Sequence, residues 1–183
     1  MDARAVTPDV RIPEEELRTA GRNVGCGGAG RAFSGLGRGA ASAAQAAGPA
    51  EEVRAVLDTN VLVRHLTADP PEQAARATAF LAGAEELILS DIVVAELVYA
   101  LESVYRVERG QVAELVRAAI AFPAIVVLDE VLLLRALELY ELERLDFVTA
   151  YLAAGAERSG VGAVASFYRS LDQVESVERV EPG

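Results

Sequence analysis

From Val53 onward, short apolar runs alternate with longer stretches in which apolar residues return every three or four positions. VRAVLD (53–58), LILSD (87–91), AIVVLD (124–129) and GAVASF (162–167) are brief and apolar, as buried parallel strands require. SVERVE (176–181) predicts a fifth strand at an edge. Between them, NVLVRHL, the stretch TADPPEQAARATAFLAGA, residues 92–107, residues 109–121, EVLLLRALELYELERL and DFVTAYLAAGAERSG predict helices. In 92–107 the stripe Val93, Leu97, Ala100, Leu101 and Val104 is expected to face the core. Pro71 suits the first turn of its helix and Gly83 its end, while Asp146 is expected to cap the last helix and Gly160 to close it. Strands alternating with helices give the α/β class, with a largely parallel sheet flanked by helices.

The first fifty residues follow no such period. They hold nine of the 15 glycines, with GRNVGCGGAGRAFSGLGRG at 21–39 followed by the alanine-rich AASAAQAAGPA. So few large apolar residues do not offset the entropy of ordering, so 1–52 is expected to be a disordered extension and 53–183 the folded domain. A short helical turn after Pro13 is compatible with the acidic residues there. Gly25, Gly27 and Gly30 match the spacing GxGxxG, but no strand precedes them and no helix follows, so a nucleotide site is not expected. Two readings of the extension stay open, a partner-binding arm and an over-long gene start. The second is preferred, because VRAVLDTNVL reads like the opening of a domain and valine can be encoded by an alternative start codon.

Composition then narrows the class. Of 183 residues 52% are apolar, enough for a sizeable core. The net charge is −11 and the pI about 4.6, which argues against holding nucleic acid on a broad basic face. It does not argue against a nuclease, whose metal site is itself built of carboxylates. Cys26 is the single cysteine, so neither an intrachain disulfide nor a multi-cysteine zinc site is available. No apolar run approaches the roughly 18 residues of a membrane span, and MDARAVTPDV lacks the features of a secretory signal. A soluble, cytoplasmic protein is expected.

In parallel sheets the ligand site lies beyond the carboxyl ends of the strands. Asp58 ends the first strand and is followed by Thr59 and Asn60. Such a trio suits either an oriented metal ligand or a helix cap, and position alone does not choose between them. Glu96, inside the apolar VVAELV, falls at the margin of its helix's core face, within reach of that edge.

LDTNVLVRHL, then SDIVVAELVYALE, then LDFVTAYLAAGAERSGVGAVASF resemble the PIN domain, and more closely the VapC toxins of toxin–antitoxin pairs, over about residues 53–182. The resemblance implies a three-layer α/β/α fold and a magnesium-dependent endoribonuclease, manganese being an alternative ion. It further implies cleavage of RNA by metal-activated water, a VapB-like antitoxin as partner, and a homodimer. Asp58 and Glu96 map onto the family's first two catalytic acids. Where the family places two more, this chain has Thr149 (in DFVTAYLAA) and Tyr168 (in SFY). Asp146, one turn before Thr149, is then the nearest third metal ligand, and Asn60, Thr149 and Ser166 are supporting oxygens. The ordinary roles of Asp146 and of Asp172 are a helix cap and a solvated acid.

Two carboxylates hold a hard cation weakly, so weak magnesium binding and low or absent cleavage are expected. Two function classes follow: a weakened endoribonuclease, or a catalytically degenerate PIN domain that dimerises and binds an antitoxin. His65 is expected to be exposed. Arg64, Arg135 and Arg169 suit RNA phosphates or solvated ion pairs, and Val131–Leu142 suits core plus partner surface.

Overall fold

The computed structural model describes residues 53–183. The expectations for 1–52, with its glycine pattern, Cys26 and the turn after Pro13, lie outside the described residues. The chain runs through β1 (Arg54–Val56), α1 (Thr59–Thr67), α2 (Pro71–Gly83), β2 (Glu86–Leu89) and α3 (Asp91–Tyr99). A π-helical turn (Ala100–Val104) leads to α4 (Arg109–Ile120), β3 (Ile125–Val127), α5 (Glu130–Leu142) and α6 (Phe147–Ser159). β4 (Ala163–Ala165), a 3₁₀ turn (Arg169–Gln173) and β5 (Glu178–Val180) complete it.

All strand pairings are parallel. β2 lies between β1 and β3, with Ala55, Leu87 and Ile125 in one register row and Val56, Ile88 and Val126 in the next. β4 and β5 form a second ladder, Val164 opposite Arg179. The fold is α/β, with parallel sheet flanked by helices, as the pattern predicts. Each strand is three or four residues long, shorter than the apolar run that announces it. The reason is local: Asp58, Ser90 and Asp129 stand at the N-caps of the helices that follow, so the chain has already turned there.

Leu57, Leu87, Leu89 and Ile125 are buried in one cluster with Leu97 and Leu101 after β2, Val112 and Val116 of α4, and Leu133 and Leu137 of α5. Alternation sends the neighbouring row the other way: Val56 is 70% exposed and Val126 47%. No helix among the described residues is long and apolar enough to cross a membrane.

The single helix expected over 92–107 needs correction. α3 stops at Tyr99, and the π turn follows, with Tyr105 N–H donating to Ala100 O at 3.1 Å. Its wider turn rotates later residues out of the α-helical register. The buried stripe is Val94, Leu97, Val98 and Leu101, with Val93 and Ala100 half-buried; Val104, at the end of the π turn, is exposed. The ends of α6 are as expected: Asp146 caps it, and Gly160 closes it at φ 74°, a left-handed turn that glycine takes without strain.

Arg109 joins three of these elements. One of its Nη atoms donates to the carbonyls of Tyr140 (2.7 Å) and Leu145 (2.5 Å), its guanidinium stacks 4.2 Å over the Tyr140 ring, and its other Nη lies 3.4 Å from Glu102. The Tyr140 carbonyl falls in the last turn of α5, where helix acceptors have no partner of their own.

Candidate functional site at the carboxyl ends of the strands

Asp58 leaves β1 and caps α1, its Oδ1 accepting from Asn60 N–H at 2.8 Å. Its side chain and that of Asn60 are exposed. Thr59 is buried, and its hydroxyl donates to Glu96 Oε2 at 2.5 Å. That bond ties the first turn of α1 to α3 and brings the Glu96 carboxylate beside the Asp58–Asn60 turn. The sequence places Thr59 in a trio with Asp58 and Asn60 that suits orienting a metal ligand or capping a helix; in the structure its hydroxyl orients Glu96.

A second polar junction was not predicted. Asp91 opens α3, and its Oδ2 accepts from the Tyr151 hydroxyl at 2.5 Å, while Oδ1 is buried without a hydrogen bond. The hydrogen bond to Asp91, then burial, push the Tyr151 phenol up to about 12, so it remains a protonated donor at neutral pH. The sequence signal was slight: an acid at the end of LILSD, and a tyrosine two residues after Thr149.

Asp146 is fully engaged at the head of α6. Its Oδ1 accepts from Thr149 N–H (3.0 Å) and its Oδ2 from the Thr149 hydroxyl (2.6 Å). Thr149 itself is only 6% exposed. Beyond β4, Ser166 Oγ accepts from Tyr168 N–H at 3.0 Å, and the Tyr168 ring is exposed. Asp172 is exposed but ion-paired, 2.7 Å from Arg179. His65, expected to be exposed, is half-buried, with Nδ1 2.9 Å from the Thr78 hydroxyl. Arg135 is held between Glu157 and Glu138, an ion pair rather than a surface cation.

The donor set does not fit a family-type ion site. Magnesium seeks several hard oxygens in an octahedron. Among the described residues no three His, Cys, Asp or Glu side chains converge to hold a metal. Asp146 serves as a cap, and Thr149, the buried oxygen nearest to it, donates its proton to that cap.

If this capping pair holds α6, Asp146→Ala should lower stability by about 1–2 kcal/mol in urea unfolding. Asp146→Asn, which keeps the acceptor oxygen, should retain most of it. A loss below about 0.5 kcal/mol for Asp146→Ala would show that the pair contributes little.

Among curated proteins none matches the chain. Residues 55–176, two thirds of the sequence, match the PIN domain family. That family is one of nucleases that in general use divalent metal ions and commonly bind RNA. The match spans the strands and helices from β1 to the turn before β5, including every acid and hydroxyl placed above. The chain belongs to the PIN domain family.

Proposed function

We propose that residues 53–183 form a VapC-like PIN domain in which RNA and partner binding outlast cleavage. The observation that carries this reading is the Thr149–Asp146 pair. Where the resembling toxins have an acid, this chain has a buried hydroxyl already committed to a helix cap. Asp58 and Glu96 are then the two carboxylates left to attract Mg²⁺ or Mn²⁺, with Asn60, two residues after Asp58, and Ser166, beyond β4, as neutral oxygens. Two charges on two side chains attract a divalent cation without enclosing it. A VapB-like antitoxin and a second copy of the chain are the partners implied, since neither contact requires the missing acids.

Calorimetric titration of Mn²⁺ into the full chain, paired with an oligoribonucleotide cleavage assay, tests the proposal. Binding should be roughly 10–100-fold weaker than in a four-acid site, and cleavage no greater than that of Asp58→Ala. The competing reading, an intact metal-dependent endoribonuclease toxin, requires the reverse. Growth arrest on expression without antitoxin, abolished by Asp58→Ala, would establish it and remove the degenerate reading.

A further inference from the structure

A groove of about 720 Å³ opens between α1 and α2. Asn60 and Arg64 line it from α1, and Gln73, Arg76 and Phe80 from α2. Asn60 is the residue whose backbone Asp58 caps, so the groove begins next to the carboxylates of the candidate site.

Its charge is unusual for this chain. Residues 53–183 hold eleven arginines against 21 acids. Six of the arginines (Arg54, Arg109, Arg117, Arg135, Arg158 and Arg179) are ion-paired. The other five make no ion pair among the described residues, and two of these, Arg64 and Arg76, line the groove. Arg64 is positioned by neutral acceptors, the Asp69 carbonyl at 2.9 Å and the Tyr105 hydroxyl at 3.4 Å. Those bonds hold the guanidinium in place without an ion pair. Glu72, one turn before Arg76, does not line the groove. On so acidic a domain, two arginines without acid partners on one groove make a place where a phosphate meets attraction.

The remaining lining matches the other parts of a nucleotide. Phe80 is 38% exposed and offers a ring for stacking, and the amides of Asn60 and Gln73 offer both donors and acceptors to base edges. A run of acidic side chains would satisfy the arginines but leaves the ring without a stacking partner, which a base supplies. We infer that this groove holds a stretch of single-stranded RNA, with phosphates on Arg64 and Arg76 and a base on Phe80. The inference rests on reading the chain as an RNA-binding PIN domain, and it needs no cleavage.

Fluorescence anisotropy of a labelled, mixed-sequence oligoribonucleotide, with the full chain in EDTA, tests it. Arg76 is an exposed position, so Arg76→Glu should fold normally. It should weaken binding roughly tenfold and reduce the salt slope by about one. Phe80→Ala should weaken binding roughly tenfold with the salt slope unchanged. Arg54→Glu, the same change of charge at the opposite end of β1, should stay within roughly twofold, because screening isolates it. Wild-type binding that both groove variants leave intact overturns the groove while leaving the RNA-binding reading standing. No wild-type binding at all overturns that reading itself. Displacement of the RNA by poly-glutamate, with Phe80→Ala without effect, would assign the groove to an acidic protein partner and overturn the inference.

Discussion

Thr149→Asp and Tyr168→Asp, introduced together, should raise Mn²⁺ affinity and RNA cleavage by roughly 10–100-fold each over the natural chain. Thr149 sits in the first turn of α6, and its backbone N–H is already held by Asp146 Oδ1. That bond survives the substitution, so the new carboxylate projects from an unchanged helix end. What is lost is the hydroxyl's bond to Asp146 Oδ2, and two carboxylates then face one another. Without an ion they repel; with one they become ligands. The double variant should therefore melt lower than the natural chain in EDTA and recover with Mn²⁺, a response the natural chain lacks. Each single variant should fall short of half the gain in log affinity, because ligands of one ion act as a unit. Adding Asp58→Ala should abolish the restored cleavage. Failure of the double variant to gain either property would show that the two absent acids are not what limits this site.

The second large effect concerns the frame. Arg109→Ala should lower stability by about 3 kcal/mol in chemical denaturation. The substitution leaves two carbonyls of the α5–α6 corner, those of Tyr140 and Leu145, without their charged donor. It also removes the stacking on Tyr140 and the partner of Glu102. Arg109→Lys should recover less than half of the loss, since a point charge cannot reproduce a planar fork that donates and stacks at once. A loss under about 1 kcal/mol for Arg109→Ala would mean that water replaces the guanidinium freely.

Much of the architecture was legible because it depends on neighbours in sequence. Apolar runs such as VRAVLD and LILSD mark strands, and Asp146 and Gly160 mark helix ends, through chemistry that acts within a few residues. The break after Tyr99 was not legible, because ALESV continues the helical spacing of what precedes it. The replacement of expected acids could be read directly from Thr149 and Tyr168. How the remaining groups are used could not. Thr59 reaches Glu96 across 37 residues, Tyr151 reaches Asp91 across 60, and His65 meets Thr78 across 13. Those pairings are products of packing, and no local pattern announces them. Arg109 was likewise invisible: as a letter it is one arginine of 17 basic residues, and only the fold aims it at carbonyls more than thirty positions away.

The Thr149–Asp146 pair also bears on how such a domain can change over generations. Tyrosine and aspartate codons differ at a single base, so an acid at 168, on an exposed side chain, lies one mutation away. Threonine and aspartate codons differ at two bases, and position 149 now helps to hold α6. Of the two single-base intermediates, alanine loses the cap's second bond, whereas asparagine keeps an amide donor for it. The route through alanine therefore runs against stability, and only the route through asparagine leaves the cap in place. In that sense one short hydrogen bond makes position 149 part of the scaffold and narrows the routes by which it can take on a carboxylate.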